Sequence, residues 1–308
     1  MHVLVSGSSG LIGTALLDAL AADGHRTTRL VRARSAPGPG GDRATEVSWD
    51  PTRHMIDTSA LESVGPLDGV VHLAGAGVGD RRWSPARKRD IRSSRTEGTE
   101  LLATTLAALA SPPPALVSSS AVGYYGDRGE EVLTEESTPG TGFLAGVCVA
   151  WEAATAPAAA AGIRTVVLRT GIVLSARGGA LAKQLPLFRL GMGGRIGSGR
   201  QYRSWISLDD QVAAIIRCLN DDSLVGPVNA TAPNPATDAE LAGTLGAVLH
   251  RPSFLAVPAP ALKLALGSEM ASDMVLASQR VLPEKLQAAG FEFAHTDLAG
   301  ALRTVLGR

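Results

Sequence analysis

Three glycines, each separated from the next by two residues, follow the first apolar run of the chain. An apolar run that ends in glycines and continues at helical spacing is typical of a strand–turn–helix unit that binds a pyrophosphate. The helix N-terminus of such a unit offers free N–H groups to the phosphates. We predict that the phosphates contact Gly7, Ser8, Ser9, Gly10, Leu11, Ile12 and Gly13. The alternative is a turn without a ligand, because glycine accounts for 35 of 308 residues.

The second predicted strand ends in arginine, where a dinucleotide-binding unit reads the adenosine ribose. An NAD site carries Asp or Glu about 20 residues after the glycines, to accept from the ribose 2′-hydroxyl. This chain has Arg32 and Arg34 there and no acid. Arginine pairs with a 2′-phosphate, which an acid would repel, so these residues favour NADP(H) over NAD(H). The alternative is that Arg32 is a solvated charge at a strand end.

A basic helical segment follows the fourth predicted strand. Lys88, Arg92 and Arg95 are spaced four and three residues apart, which places them on one face of a helix. At the ligand edge of a sheet, that face could bind a phosphate or carboxylate of a substrate. The alternative is a solvated face that pairs with Asp90 and Glu97.

The elements that position these residues alternate between strands and helices, which predicts a parallel sheet with right-handed crossovers. Strand candidates are 2–6, 26–31, 45–49, 69–74, 114–120 and 164–168; helix candidates are 11–22, 86–110, 143–161 and 209–219; residues 35–42 form a loop. We predict an α/β fold, a doubly wound parallel Rossmann sheet with a smaller α/β C-terminal lobe. Residues 1–175 would form the NADP(H)-binding domain, with its sheet completed by part of 200–230, and residues 176–308 would be mainly the substrate lobe.

The composition excludes several classes of protein. Hydrophobic residues at 45% and charged residues at 19% argue against disorder, and 29 basic against 29 acidic residues provide no global field for nucleic acid or an acidic membrane. Two cysteines fit a reducing compartment, and six scattered histidines lack metal-ligand spacing, so no metal site is predicted. The N-terminus lacks the features of a signal peptide, and no apolar run approaches the ~20 residues of a membrane span. These features predict a soluble cytoplasmic protein.

Motifs along nearly the whole chain resemble a known family. HLAGAG (72–77) follows the fourth predicted strand and SSSAVGYYGD (118–127) follows the fifth. Further segments are RRWSPARKRDIRSSRTEGTELL, LRTGIVLS, GMGGRIGSGRQYRSWISLDD, NATAPNP and SQRVLPEKLQAAGFEF. Together they resemble the atypical extended short-chain dehydrogenase/reductases, an epimerase-like subgroup of the NAD-dependent epimerase/dehydratase superfamily that is sometimes labelled cell-division-inhibitor-like. The resemblance implies an NADP(H)-binding Rossmann domain, a small lobe over the cofactor and a small-molecule substrate. Homodimers are common among such relatives.

The resemblance also assigns positions around the nicotinamide half of the cofactor. It implies cofactor contacts from Leu73, Ala74, Gly75, Ala76, Ser118, Arg169, Thr170, Gly171 and Ile172. It implies substrate contacts from Ser119, Gln201, Arg203 and Trp205. The glycine-rich loop before the last three, with Arg195 and Arg200, is either a mobile anion clamp or a plain surface loop.

Catalysis in the wider superfamily uses Ser, Tyr and Lys, and this chain departs from that pattern. Ser120 matches the serine that polarises the substrate carbonyl, with Ser119 as the one-residue alternative. Tyr and Lys lie one helical turn apart in the superfamily, so that both face the cofactor. If Glu152 takes the glutamate position of that helix, Leu144 and Cys148 stand where Tyr and Lys should be. An apolar leucine cannot donate a proton.

Two tyrosines are candidates to replace the missing proton donor. Tyr124 and Tyr125 closely follow the serine strand, and the alternative for both is packing with one hydroxyl hydrogen bond. If the chain is an enzyme, we expect carbonyl reduction, epimerisation or a related redox step on a small anionic substrate. The alternative is a sensor or interaction module that binds NADPH without turnover.

Overall fold

The computed structural model describes residues 1–32 and 44–308, so Arg34 and the loop predicted at 35–42 lie outside the described residues. The strands are β1 (His2–Ser6), β2 (Arg26–Arg32), β3 (Ala44–Asp50), β4 (Met55–Ile56), β5 (Gly69–His72), β6 (Ala115–Ala121), β7 (Val132–Leu133), β8 (Arg164–Thr170), β9 (Ile172–Leu174), β10 (Gly194–Ile196), β11 (Tyr202–Arg203), β12 (Trp205–Ser207), β13 (Gly226–Ala230), β14 (Ala236–Thr237), β15 (Leu255–Val257) and β16 (Arg280–Val281).

The helices surround these strands. They are α1 (Leu11–Ala22), α2 (Thr58–Ser63), α3 (Pro85–Ala108), α4 (Phe143–Ala153), α5 (Ala156–Ala160), α6 (Gly179–Arg189), α7 (Leu208–Asn220), α8 (Asp238–Leu249), α9 (Ala259–Leu266), α10 (Ser268–Met270), α11 (Glu284–Ala288) and α12 (Leu298–Leu306). Two 3₁₀ turns, Pro51–Arg53 and Val122–Tyr125, and a π-helix, Ala271–Leu276, complete the described elements.

Eight strands form one sheet, in the order β13-β8-β6-β5-β1-β2-β3-β4. Neighbouring strands run parallel, except that β4 pairs with β3 in the antiparallel direction. The order β3-β2-β1-β5-β6-β8 is that of a doubly wound dinucleotide-binding sheet, whose strand order reverses between β1 and β5. The predicted fold class is confirmed. In such sheets a ligand binds in the crevice at the carboxyl ends of the strands where the order reverses.

Strand β1 is buried on both faces of the sheet, which explains its uninterrupted apolar run. Val3 and Val5 pack on one side in a core that includes Ile215 of α7. Leu4 packs on the other side in a core that includes Leu102 of α3. Successive side chains of a strand point to opposite faces, so a single short strand anchors helices on both sides and fixes the turn that follows it.

The C-terminal lobe has a separate apolar core, to which α6, α8 and α12 contribute. Its strands are two or three residues long and pair two at a time, β9 with β12, β10 with β15 and β11 with β14. A single residue, Gly171, separates β8 of the main sheet from β9 of the lobe. The lobe therefore begins at the carboxyl edge of the sheet, beside the crevice.

One stretch, Phe143–Ala160, is long and apolar enough by length and composition to cross a membrane, although the sequence was expected to contain no such run. Core helices of soluble proteins meet the same criterion. Here the stretch is divided into α4 and α5, shortly before Pro157. Trp151 of α4 donates its indole N–H to Thr99 of α3 at 3.0 Å, which fixes α4 on the sheet domain.

Candidate active site

The glycine turn lies at the carboxyl end of β1 and packs against the segment after β5. Gly7 has a φ of +67°, and a Cβ at Gly7 would lie 2.6 Å from the carbonyl carbon of Leu73. A Cβ at Gly13 would lie 2.3 Å from the carbonyl oxygen of Gly7. Because the obstructing atoms are backbone in both cases, no larger residue fits without moving the turn. The glycines at these positions therefore allow the tight turn and the close packing of α1 on it.

Helix α1 begins behind this turn with Gly10 at its N-cap, and no side chain caps its free N–H groups. Helix α6, behind Gly178, is uncapped in the same way, whereas the N-termini of α3, α7 and α8 are capped by Ser84, Ser207 and Thr237. Uncapped N–H groups and the positive end of the helix dipole form a site for an anion. This arrangement fits the phosphates of a dinucleotide.

A cavity of about 370 Å³ opens beside the turn. Eight of the residues predicted to bind the cofactor line it: Gly7, Ser8, Ser9, Gly10, Leu73, Ala74, Gly75 and Ala76. Arg32 also lines the cavity and is exposed at the end of β2. Arg29, on the same strand, forms an ion pair with Glu46, which also lines this cavity. Within residues 1–32 and 44–308, Arg32 is the arginine of the cavity lining that forms no ion pair.

A buried polar network occupies the carboxyl ends of β6 and β8. Ser120 Oγ donates to Glu152 Oε1 at 2.6 Å, and the Arg169 guanidinium donates to both carboxylate oxygens of Glu152 at 2.9 Å. Arg169 also donates to the Tyr125 hydroxyl at 3.0 Å, and that hydroxyl donates to Asn229 Oδ1 at 2.7 Å. These five side chains thus form one hydrogen-bonded network, which Asn229 extends by donating to the Leu282 carbonyl at 2.9 Å.

This network argues against the roles predicted for Tyr125, Ser120 and Arg169. Tyr125 is fully buried, and burial raises its pKa to about 12, so it is not placed to donate a proton to a substrate. The Ser120 hydroxyl is directed to Glu152 rather than to a substrate carbonyl. Arg169 is buried and neutralised by Glu152, which removes it from the predicted cofactor contacts. Tyr124 is half-buried, and its ring centroid lies 3.5 Å from the Arg169 guanidinium.

The helix positions that replace Tyr and Lys face the serine strand. A Cβ at Gly123 would lie 3.6 Å from Leu144 Cβ and 3.8 Å from Cys148 Sγ. Cys148 is buried, and burial raises the pKa of its thiol to about 12. A neutral thiol in this setting is neither a nucleophile nor a proton donor at neutral pH. At these two positions α4 therefore carries an apolar side chain and a neutral thiol, neither of which replaces the usual proton-transfer pair.

The predicted basic face of α3 is divided by the fold. Lys88 pairs with Glu269 of the C-terminal lobe at 2.6 Å and lies 4.6 Å from the Phe143 ring centroid. Arg95 donates to the Ala76 carbonyl at 2.8 Å, beside the cavity. Arg92 is exposed on the helix surface. The three side chains therefore do not form one anion site, because two of them already have acceptors elsewhere in the fold.

Three residues predicted to contact substrate instead support the C-terminal lobe. Trp205 is fully buried and donates its indole N–H to the Asn234 carbonyl at 3.1 Å. Gln201 is buried and donates to the Ile196 carbonyl at 2.9 Å. Arg203 is buried in an ion pair. All three side chains therefore have partners within the lobe: backbone carbonyls for Trp205 and Gln201, and the Asp238 carboxylate for Arg203.

The remaining predicted residues lie along the carboxyl ends of β6 and β8. Ser119 is half-buried, whereas Ser118 is fully buried and its hydroxyl has no hydrogen-bond partner in the described part of the chain. Thr170 accepts from Gln211 at 3.4 Å. Ile172, just beyond Gly171, lines a second, smaller cavity. These residues lie on, or directly after, the two strands that carry the buried network.

Comparison with known proteins assigns the chain to a family. The model of the NAD dependent epimerase/dehydratase family matches residues 3–229, and that of a domain of unknown function (DUF1731) matches residues 257–305. The chain belongs to the NAD dependent epimerase/dehydratase family. Among its relatives, epimerase family protein MT2273 of Mycobacterium tuberculosis is 45% identical, over 97% of this chain and 96% of the relative. Human epimerase family protein SDR39U1 is 36% identical, over 99% of this chain and 100% of the relative.

Solved structures of family members superpose over the full length of the chain. Human SDR39U1, crystallised with NADPH, has a TM-score of 0.87 and 33% identity, and the match covers 100% of both chains. A nucleoside-diphosphate sugar epimerase from Corynebacterium glutamicum has a TM-score of 0.78 and 38% identity, and the match covers 100% of this chain and 58% of that chain. MoeE5 in complex with UDP-glucuronic acid and NAD, at 20% identity and a TM-score of 0.77, shares the fold.

Two elements of this family member's site were missed from the sequence. Ser94 of α3 lines the cavity, and its Oγ accepts the Ala76 N–H at 3.1 Å. Asp273 of the π-helix accepts the Phe143 N–H at 2.8 Å and so caps α4 from the C-terminal lobe. Ser94 is adjacent to Arg95 on the predicted helix, but neighbouring residues do not share a helix face, so helical spacing gave no signal for it. No local signal connects Asp273 with Phe143, which lie far apart in the sequence.

Proposed function

We propose that this chain binds NADPH in the 370 Å³ cavity. The observation that carries the proposal is the uncapped N-terminus of α1 behind Gly7 and Gly10, at the point where the strand order reverses. The pyrophosphate would lie on the glycine turn, and the adenosine half would extend towards the end of β2. A relative of 33% identity that was solved with NADPH supports this assignment.

Arg32 would select NADPH over NADH by binding the 2′-phosphate. Two arginines of the described residues line the cavity, and of these Arg32 is exposed, whereas Arg29 is held by Glu46. A charge-assisted hydrogen bond to a phosphate contributes about 1.5–3 kcal/mol, so Arg32→Ala should weaken NADPH binding about tenfold or more. NADH binding should change little, since NADH lacks that phosphate.

Titration of bound-cofactor fluorescence tests this proposal. Arg26→Ala is the matched control, because Arg26 is an exposed arginine at the opposite end of the same strand. Selective loss of NADPH affinity in Arg32→Ala alone supports the proposal. Equal affinities of the unsubstituted chain for NADPH and NADH would contradict the proposal that Arg32 selects NADPH. Absence of binding by either cofactor would overturn the proposed function.

The reaction that we propose is hydride transfer between the cofactor and a small carbonyl or hydroxyl compound. The bound cofactor would supply or accept the hydride. Since Leu144 and Cys148 replace the usual pair and Tyr125 is buried, solvent would provide the balancing proton. Loss of a positioned general acid costs about 10²–10⁴-fold in rate, so slow turnover is expected. The rate of NADPH oxidation should then rise with the concentration of a small buffer acid such as imidazolium.

A buffer-independent rate that is lost in Tyr124→Phe would contradict the solvent route. In that case Tyr124, which is half-buried beside Arg169, would be the proton donor that the sequence suggested. Tyr202→Phe is a suitable control, because Tyr202 lies in the C-terminal lobe beside Arg280.

A second candidate is a sensor or interaction module that binds NADPH without turnover. The observation in its favour is that Ser120, Glu152, Arg169, Tyr125 and Asn229 form a closed network at the usual catalytic position. NADPH-dependent stabilisation without oxidation across a carbonyl panel, together with an NADPH-dependent partner in a pull-down, would favour this candidate. We further propose a cytoplasmic location and a homodimer, which cell fractionation and analytical ultracentrifugation would test.

A further inference from the structure

The exposed large apolar side chains of the described residues are concentrated on the C-terminal lobe. Seven of the eleven lie in two segments, residues 187–200 and 250–266. The three most exposed, Leu264, Phe254 and Leu190, are 81%, 80% and 70% exposed. The other four are Leu187, Met192, Leu255 and Val257. Apolar side chains exposed singly are ordinary, whereas such a concentration indicates a surface that meets a partner.

The two segments lie side by side and form one surface, which we name the lobe face. Strand β10 of the first segment pairs with β15 of the second. Ahead of these strands, Arg251 Nε donates to the Arg189 carbonyl at 2.9 Å. Beyond them, a Cβ at Gly197 would lie 3.9 Å from Cβ of Ala259, the first residue of α9. The apolar side chains of both segments therefore share one region of the surface.

Two apolar elements of the lobe face lie on the surface rather than in the core. All three residues of β15 are exposed, and no residue of α9, with the sequence APALKLAL, is buried. An apolar helix of a globular protein normally buries one face, as α6 does through Leu181, Leu185 and Phe188. Since a fully exposed large apolar residue presents about 150–200 Å², the seven residues present on the order of 700 Å². That area exceeds the few hundred Å² that are usual for a monomer.

The lobe face carries basic residues and no acidic residue. Residues 187–200 and 250–266 contain no Asp or Glu. Their five Lys and Arg residues are exposed and form no ion pair within residues 1–32 and 44–308. They are Arg189, Arg195, Arg200, Arg251 and Lys263. Beside β10, the first turn of α8 contributes two acids, of which Asp238 pairs with Arg203 and Glu240 caps the helix. The lobe face is therefore positively charged, and an anionic partner complements it.

We infer that the lobe face binds the surface of an anionic membrane. Basic side chains around apolar ones are typical of surfaces that lie in the headgroup layer of a bilayer. A fluid bilayer accepts side chains that protrude, whereas a protein partner would need a matching pocket for Phe254 and another for Leu264. A second copy would oppose five basic residues with the same five across a two-fold axis, and like charges repel.

The rest of the molecule is compatible with this binding. The zero net charge of the chain does not oppose it, because salt screens charges that lie more than about 10 Å from the headgroups. The anionic leaflet is the cytoplasmic one, which agrees with the proposed location. No residue of the lobe face lines the 370 Å³ cavity, so the inference does not depend on cofactor binding.

Vesicle flotation of the full chain tests the inference. Vesicles of phosphatidylcholine alone are compared with vesicles that also contain phosphatidylglycerol, at low and at high salt. Each Lys or Arg near an anionic leaflet strengthens binding about fivefold, so the chain should bind the anionic vesicles at least about tenfold more tightly. High salt should weaken this binding, because it screens the charges. Equal binding to both vesicles, or binding to neither, would overturn the inference.

Substitutions separate the apolar from the basic contribution. Phe254→Ser and Leu264→Ser should each weaken binding to the anionic vesicles about tenfold, because each removes one apolar side chain from the bilayer. Met55→Ser, at an exposed position of β4 in the main sheet, should leave binding unchanged. Arg189→Gln should weaken binding about fivefold, whereas Arg26→Gln, at an exposed position of β2, should not. Urea denaturation checks that each variant is folded. Binding that survives both apolar substitutions would overturn the inference.

A dye attached to the lobe face reports insertion and distinguishes a membrane from a second copy. Cys148 and Cys218 are buried, so a cysteine introduced at an exposed position takes an environment-sensitive dye selectively. The emission of the dye on Leu264→Cys should shift to the blue with anionic vesicles, and that on Met55→Cys should not. A blue shift of the Leu264→Cys dye with rising protein concentration, in the absence of vesicles, would assign the lobe face to a second copy and overturn the inference.

Discussion

The two halves of the crevice treat their polar groups in opposite ways. On the side of β1 and β2, the N-terminus of α1 has no side-chain cap, and a 370 Å³ cavity lies beside it. On the side of β6 and β8, Ser120, Glu152 and Arg169 satisfy one another with hydrogen bonds of 2.6–2.9 Å. The first half keeps its donors for a ligand, and the second half uses them to hold the fold together.

This difference separates cofactor recognition from the usual chemistry of the wider superfamily. A phosphate site depends on backbone N–H groups and glycines, which persist whatever happens to nearby side chains. Proton transfer depends on particular side chains, and Leu144 and Cys148 cannot perform it. A chain can thus retain the phosphate site while the polar side chains at the usual proton-transfer position become part of the folded core.

Breaking the buried ion pair should have the largest effect on stability. Glu152→Ala leaves the Arg169 charge buried without its partner, which costs about 4 kcal/mol of the free energy of unfolding. Urea denaturation measures this loss, and Glu131→Ala is the control, because Glu131 forms an exposed pair with Arg128 that contributes under about 1 kcal/mol. NADPH affinity of the folded variant should be unchanged. A matching loss of affinity would show that the two halves are not independent.

Substitution in the glycine turn should impair the cofactor side of the crevice, at β1 and β2, and so lower both stability and NADPH affinity. Gly13→Ala places a Cβ 2.3 Å from the Gly7 carbonyl oxygen, so we expect a loss of about 3 kcal/mol together with loss of NADPH binding. Gly243→Ala is the control: nothing lies within 4 Å of its Cβ, and it should gain about 0.5–1 kcal/mol in helix α8. Normal NADPH affinity in Gly13→Ala, measured by fluorescence titration, would argue against the phosphate site.

Acid should weaken the first half through His72, which is fully buried at the end of β5 and bonded to Ser6 at 2.6 Å. Burial lowers its pKa from 6.5 to about 4. Between these values the unfolded chain binds a proton that the folded chain does not, so stability is present above the unfolded value and is lost as pH falls. We expect a loss of about 2 kcal/mol between about pH 7 and pH 5.

Urea denaturation across this pH range measures the effect of His72. The substitution His72→Gln should reduce the dependence and leave a remainder from His2, whose pKa burial also lowers. His54→Gln, at an exposed position, should leave the dependence as it is. An undiminished dependence in His72→Gln would assign the acid sensitivity to another group.

The smallest effect distinguishes two neighbouring serines of β6. Ser120→Ala removes the hydrogen bond to Glu152 and should cost about 1 kcal/mol without changing NADPH affinity. Ser119→Ala, at the half-buried neighbour, should cost almost nothing in stability. If Ser120→Ala instead stopped NADPH oxidation without loss of stability, Ser120 would act on the substrate, as the sequence suggested. Thermal unfolding and a turnover assay on both variants decide this.

The Rossmann half of the fold could be predicted because each element has a local cause. Residues 2–6 and 11–22 coincide with β1 and α1, and the helix predicted at 86–110 spans Pro85–Ala108. The apolar strands are buried on both faces, so their composition alone marks them. The short strands of the C-terminal lobe were missed in part, since two or three residues are too few to show an alternation.

In the candidate site, too, the locally encoded part could be predicted from the sequence and the part that depends on distant contacts could not. Glycine spacing after an apolar strand identified the cavity lining, because a backbone-built site is encoded locally. The ligand roles given to Trp205, Gln201 and Arg203 stay predictions. The hydrogen-bond partners of Trp205 and Arg203 lie about 30 residues further along the chain, so local sequence could not show that these side chains are buried and paired.

The sequence by itself determined the family, the parallel sheet and the glycine turn, since each depends on residue type at fixed local spacing. Only the tertiary structure decided which polar side chains remain free for a ligand. Ser120, Glu152, Arg169 and Asn229 come from four separate elements, and strand register together with helix placement brings them within hydrogen-bond distance. Once they are buried together, each must satisfy another, because an unpaired polar group in the interior is costly. These buried side chains therefore stabilise the fold, whereas the free N–H groups behind the glycine turn remain available to bind a ligand.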